Sequence, residues 1–413
     1  MVAIPTRIRT NPTRNINRRS LRHTAEDYRS RFWASRSPVL AVGTLDARRM
    51  PDRLKSGEPK TTRRPGRSIA GAPSVGKESA RNRGQNVKIP GMNPTDPGSP
   101  APLSVPLEVA ATHRLADRYG WLACANARLR YACWNASGTR GTVVMLQGRA
   151  EFIEKYSTEV VGELIDRGFA VFAVDLRGQG LSDRPLPDHD KGHIDDFATF
   201  VTDLDRFLNE VVAPAAPRPI LGLAHSTSGN ILLRRLAERG AAPLSSVLLV
   251  SPMTALYRGS LIRPLVNVVS PFGLNDTGYM VKTGPYDPAM RNFAGNDVTS
   301  DERRYRFTDQ WFAADPRLRL GGPTCGWLRQ AFRSIDALGQ PGYLERIDVP
   351  LALLSAGKDE VVDISSHAPV VARVRGARHV VIDGAKHEIL METDALRARF
   401  WAEFDAFAQP PGP

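Results

Sequence analysis

From about residue 107 onward, short apolar runs alternate with stretches of helical period, and this alternation constrains the fold more than any other feature of the chain. Strands joined through helical crossovers make a parallel sheet whose two faces are covered by helices. "GWLACAN" and "ARLRYACW" read as a leading hairpin, and "GTVVMLQG" as a buried strand of β-branched residues. A helix over 152–167 and the strand "FAVFAVD" follow. In "IDDFATFVTDLDRFLNEVV", Phe197, Phe200, Val201, Leu204, Phe207 and Leu208 fall on one face at helical spacing. Strand "PILGLA", a helix from about Gly229 in "GNILLRRLAERG", and strand "SSVLLVS" come next. The fold class is α/β, a mostly parallel twisted sheet with helices on both faces.

Regularity lapses from Pro252 to Gly342. A structureless loop of roughly 90 residues inside a compact domain is disfavoured, so this stretch is expected to be a small inserted subdomain. Its "SLIRPLVNVVSPFGL" and the region of Trp327 suit an acyl-chain wall, a lipid-facing patch or plain subdomain core. The alternation resumes with strand "PLALLSAG", a helix near 365–374, strand "HVVIDGA" and the terminal helix "TDALRARFWAEFDAF". The expected organisation is a basic segment over 1–105, a first core part over 106–251, the insertion over 252–342 and a second core part over 343–413.

The formal charge of +13 over 413 residues suggests an anionic partner until its distribution is read. Residues 1–91 hold 21 Lys and Arg against 6 Asp and Glu, whereas the rest holds 35 against 37. The excess therefore belongs to a Pro-, Ser- and Gly-rich segment with no apolar period, which is expected to be disordered. An organelle presequence, a nucleic-acid or lipid arm, and a start placed too early with Met92 the true one all fit it. No specific nucleic-acid partner is expected for the folded part. No run of about 18 apolar residues predicts a membrane span, and no apolar stretch near the start predicts a secretory signal. Three cysteines, Cys124, Cys133 and Cys325, with no C-x-x-C, point to a reduced, cytoplasmic setting. No H-E-x-x-H or Cys/His cluster predicts a metal, and "RGQGLSD" lacks the third glycine of a dinucleotide fingerprint, so no cofactor is expected.

The corner "LGLAHSTSGN" between strand and helix reads as a helix cap or as the seat of a nucleophile, and its company in the chain decides between them. It resembles the G-x-S-x-G elbow that lifts a serine above a sheet, with Ala224 and Ser228 where the glycines stand. Both are small enough for the close approach. Ser226 sits at the turn, whereas Ser228 lies in the first helical turn, where its side chain predicts crowding against the neighbouring strand. A serine hydroxyl needs an imidazole to accept its proton, and the imidazole needs a carboxylate to fix its tautomer. Of eight histidines, His387 follows a strand end, whereas His367 falls in a helix and His379 opens a strand. By the same logic Asp359 is chosen over Asp363. The amides of Thr227, directly after the serine, and of Arg149, after the bend at Gly148, are placed to face a developing oxyanion.

"QGRAEFIEKY", "DLRGQGLSD", "LAHSTSGN", "SAGKDEVV" and "AKHEILME" together resemble the lysophospholipase and monoacylglycerol lipase branch of the α/β-hydrolases, a serine aminopeptidase-type hydrolase family. The resemblance covers about residues 107–408. It implies Ser226 as nucleophile, Asp359 as acid, His387 as base, the Arg149 and Thr227 amides as oxyanion hole, and the 252–342 insertion as a cap. This branch carries Gly where Ser228 stands, and its lipase members carry His where Gln147 stands. The implied activity is hydrolysis of a carboxylic ester on a single-chain lipid such as a lysophospholipid, through an acyl-enzyme, with peripheral membrane contact. A monoacylglycerol lipase, a general esterase and a non-catalytic binder on the same fold are the alternatives. Head group, acyl length and oligomeric state are not legible in the sequence.

Overall fold

The computed structural model describes residues 99–408; the expectations for residues 1–98, including the basic arm, lie outside them. Eight strands form one sheet in the order β1-β2-β4-β3-β5-β6-β7-β8. β1 (Arg118–Cys124) and β2 (Ala127–Trp134) make the hairpin, and β2 runs antiparallel to β4 (Ala170–Val174). β3 (Thr142–Leu146), β5 (Ile220–His225), β6 (Ser246–Val250), β7 (Leu351–Ala356) and β8 (Arg378–Ile382) extend the sheet in parallel. The parallel strands β3 to β7 are buried along nearly their whole length, which explains why they read as continuous apolar runs.

Helices cover both faces. On one lie α1 (Ile153–Ser157) and α2 (Val160–Asp166), two short pieces where the sequence predicts one helix, and the terminal α9 (Asp394–Phe407). Phe152, just before α1, and Leu164, Phe400 and Phe404 of the helices share a core with Val143, Leu223 and Leu354 of the sheet. The other face carries α3 (Phe197–Arg206), which continues as a π-helical stretch to Val212, and α4 (Thr227–Arg239). All six apolar positions of the α3 stripe are buried there, and the Asp196 side chain caps its start by accepting from the Ala198 amide at 2.8 Å. The helix after β5 starts at Thr227, not Gly229, so Ser226 occupies the residue just before it.

The stretch between β6 and β7 contains α5 (Gly259–Val269), α6 (Glu302–Ala314) and α7 (Cys325–Gly339). Its buried side chains join the two existing cores: Phe307, Trp311 and Phe312 pack on one face, Trp327, Leu328 and Phe332 on the other. The short α8 (His367–Ala372) lies between β7 and β8.

β3 lies between β4 and β5, so the chain leaves β3 toward one side and returns at β5 on the other. The helices following β3 and β5 pack on opposite faces. A crevice opens beyond the carboxyl ends of strands at such a switch point. Gln147–Arg149 and Ser226 stand at those two ends.

Candidate active site

Ser226 is held in a backbone conformation that few non-glycine residues adopt, φ 51° and ψ −116°. Its amide donates to the Val250 carbonyl at 3.0 Å, which fixes the corner against β6. The close approach that the corner demands is met by Gly229, where a Cβ would come within 2.6 Å of Pro252.

The side chains chosen from the sequence meet here. Ser226 Oγ lies 2.9 Å from His387 Nε2, and His387 Nδ1 lies 2.7 Å from Asp359 Oδ2. Asp359 Oδ1 accepts from the Val361 and Val362 amides, both at 2.9 Å. Burial pushes the Asp359 carboxyl up, but His387 and the two amides outweigh it and hold the group below the usual carboxylate range. Ser226 and His387 are only 7% and 4% exposed. The residues passed over stand elsewhere: Asp363 accepts from the Ser365 amide at 3.0 Å, and His367 and His379 both meet Ser355 Oγ, at 2.6 and 2.7 Å.

Thr227 opens α4, so its N–H has no intrahelical acceptor. The turn after β3 brings up Arg149, whose amide has no backbone acceptor among the described residues. Gly148 is glycine for a steric reason: a Cβ there would come within 2.8 Å of Glu151 Oε2, 2.9 Å of His225 Nδ1 and 3.2 Å of Ser226 Cβ.

Several supporting side chains escaped sequence reasoning. Gln179 of "RGQGLSD" donates to the Gly148 carbonyl at 2.7 Å and accepts from the Ala150 amide at 3.3 Å, bracing the turn. Ser228 Oγ donates to the Gln147 carbonyl, so the serine in the glycine position ties α4 to that same turn. Beneath it, Glu151 accepts from the Gly148 amide, from Tyr156 OH at 2.9 Å and from Lys155 Nζ at 2.7 Å, and meets His225 Nδ1 at 2.9 Å. Lys155 also pairs with Glu388 at 2.8 Å, and His225 Nε2 lies 3.3 Å from the His387 carbonyl. Burial raises the Glu151 carboxyl, but Lys155 and His225 bring it well below its ordinary value. Burial lowers the His225 imidazole, but Glu151 leaves it raised. The one available signal was the Glu151–Lys155 spacing, a fourth-neighbour pair in "QGRAEFIEKY".

The segment between β6 and β7 reaches both sides of the site. Val298 O accepts from the Glu388 amide at 2.8 Å, next to His387, and Gly321 O accepts from Arg149 Nη2 at 2.6 Å. Among the described residues no cluster of His, Cys, Asp or Glu could hold a metal.

A mostly parallel sheet with a strained serine corner and an imidazole and carboxylate at later strand ends defines an α/β-hydrolase. The chain belongs to the serine aminopeptidase S33 family, whose model matches residues 137–394. It is 33% identical to Lysophospholipase L2 of Escherichia coli K12 over 280 residues, 65% of this chain and 81% of that protein. It is 30% identical to the Probable lysophospholipase L2 of Haemophilus influenzae over 269 residues, 63% of this chain and 81% of that protein. Among solved structures it resembles the fold of a soluble variant of the monoglyceride lipase of Saccharomyces cerevisiae, with a TM-score of 0.57 at 18% identity over 73% of this chain and 97% of that one. The branch read from the motifs is the one these relatives occupy.

Proposed function

We propose that this hydrolase cleaves a carboxylic ester on a single-chain lipid, a lysophospholipid above all, through an acyl-enzyme on Ser226. The observation that carries the reading is the unbroken line from Ser226 Oγ through His387 to Asp359, at 2.9 and 2.7 Å. His387 Nε2 takes the Ser226 proton as Oγ attacks the carbonyl carbon, and Asp359 holds the imidazole in the tautomer that leaves Nε2 free. The Arg149 and Thr227 amides hold the oxyanion. Collapse of the tetrahedral intermediate breaks the ester bond, and His387 returns the proton to the departing alcohol. Water, deprotonated by His387, then attacks the acyl carbon and releases the fatty acid and free Ser226.

The lipid class rests on the relatives named lysophospholipase and on the 252–342 segment as a cap, built into the core instead of folding alone. The structural neighbour named a monoglyceride lipase supports a monoacylglycerol as second substrate. The cap also carries apolar surface for peripheral membrane contact: Phe272 is 99% and Leu274 82% exposed, beside the half-exposed Leu261 and Leu265 of α5. Among the described residues no helix is long and apolar enough to cross a membrane, and the three cysteines are free thiols, which supports a reducing, cytoplasmic setting. Hydrolysis of lysophosphatidylcholine, a monoacylglycerol and a triacylglycerol, compared at one acyl length, tests the assignment. Single-chain substrates are expected to win, and preference for the triacylglycerol would contradict the cap.

A further inference from the structure

The reaction proposed above uses the amide of Arg149 but leaves its side chain without a role. The guanidinium reaches the cap, where Nη2 donates to Gly321 O at 2.6 Å and the group lies 5.4 Å from the centre of the Trp327 ring. Gly192 closes a third side: a Cβ there would overlap Nη2 and stand 3.2 Å from Cζ and Nε. Among the described residues Nε is buried with no acceptor, and both amide atoms of Gln147, on the other side of Gly148, are likewise buried without a partner.

Among the described residues no carboxylate lies within ion-pair distance of Arg149. The buried guanidinium groups of Arg130, Arg304 and Arg397, by contrast, are each clasped by two or more carboxylates. The charged neighbour of Arg149 is another cation, Arg184, whose own side chain, among the described residues, donates to the carbonyls of Gly178, Gly180, Arg317 and Arg319. Burial, reinforced by Arg184, pulls the Arg149 guanidinium down to about 10, and burial does the same to Arg184. Arg149 keeps part of its surface open to solvent while its Nε does not, and a largely desolvated cation with no counter-charge is costly, so an anionic ligand offsets that cost. A planar guanidinium fork suits phosphate oxygens in particular.

Resting on the ester-hydrolase reading, we propose that the Arg149 guanidinium is the subsite for the phosphodiester of a lysophospholipid head group. The spans agree. The number of bonds from an arginine amide nitrogen to its guanidinium carbon equals that from the ester carbonyl carbon of a 1-acyl lysophospholipid, through glycerol, to phosphorus. One residue thus holds both ends of the polar part of the substrate, the ester oxygen on its amide and the phosphate on its side chain. A monoacylglycerol gains only the first contact.

The test measures kcat/KM for lysophosphatidylcholine divided by that for the monoacylglycerol of the same acyl chain, in the full chain and in Arg149→Met, Arg149→Lys and Gly192→Ala. Disturbance of the oxyanion turn affects both substrates and cancels in the ratio. The ratio is expected to fall on the order of tenfold or more in Arg149→Met, as loss of a charge-assisted pair implies, and to recover in part in Arg149→Lys. Gly192→Ala should lower it by displacing the guanidinium. Equal losses on both substrates would make Arg149 a strut between core and cap and overturn the proposal. Calorimetry reads the subsite without turnover, using a short-chain ether analogue of lysophosphatidylcholine, the matching alkylglycerol and inorganic phosphate. Tighter binding of the ether phospholipid than of the alkylglycerol, lost in Arg149→Met, is expected. Binding of inorganic phosphate alone, or equal binding of both ethers, would overturn the head-group assignment. If the ether phospholipid binds through Arg149 but no ester is cleaved, the hydrolase reading fails and the subsite stands.

Discussion

Ser228 Oγ donates to the Gln147 carbonyl and so joins α4 to the turn that presents the Arg149 amide. The sequence reads this serine as a crowded stand-in for glycine; the structure gives its hydroxyl a partner. Ser228→Gly therefore removes a buried donor, and the expected loss is about 1–3 kcal/mol of stability, measured by denaturant unfolding, together with a lower kcat. A rise in kcat would show that the side chain crowds the turn after all. Gly148→Ala should be more damaging to turnover, because the new methyl group meets Glu151, His225 and Ser226 at once. The Glu151 carboxyl makes acid the sensitive direction. Its folded-state pKa lies below the unfolded one, so its ionised form stabilises the fold at neutral pH, and that contribution is lost as pH falls through the carboxylate range. Between about pH 5 and 3 the Tm of the wild type should fall more steeply than that of Glu151→Gln. Parallel curves would remove Glu151 from this role. The meeting of Ser226, Asp359 and His387 was legible because each follows a strand end in a fixed chain order. Gln179, His225 and the partner of Ser228 were not, because their roles rest on contacts between segments far apart in sequence.

Among the elements, the buried strands and α3 were legible from apolar runs and helical period, and they stand where the sequence places them. The helix over 152–167 divides into α1 and α2, a break that apolar spacing alone does not reveal. The segment between β6 and β7 was legible only as a lapse in regularity. Its helices bury their apolar sides on two different faces of the sheet, so no single period runs through it. Asp196→Ala tests the α3 cap and should cost about 1 kcal/mol in unfolding measurements, since the Ala198 amide loses its acceptor. α5 is different in kind, because Val266 is its one buried residue. Leu265→Ser with Phe272→Ser should weaken sedimentation with lipid vesicles while hydrolysis of a water-soluble short-chain ester is retained. Unchanged sedimentation would mean that this surface does not meet lipid.

At the scale of the molecule, charge and chemistry divide along the chain. The basic excess lies in residues 1–91, whereas every residue assigned to the site lies between Arg149 and His387. A chain starting at Met92 is accordingly expected to keep its Tm and its esterase activity, and loss of either would show that the earlier residues support the fold. The site itself is assembled from the ends of β3, β5, β7 and β8, and the proposed reaction needs a single activated hydroxyl at the β5 corner. A fluorophosphonate probe reports on that hydroxyl, because it labels an activated serine without knowledge of the substrate. With the labelled peptide identified by mass spectrometry, the probe is expected on Ser226. Ser226→Ala should abolish labelling and lower turnover by several orders of magnitude, while Ser228→Ala remains labelled. Labelling that survives in Ser226→Ala and disappears in Ser228→Ala would contradict both the nucleophile and the oxyanion donor assigned at Thr227.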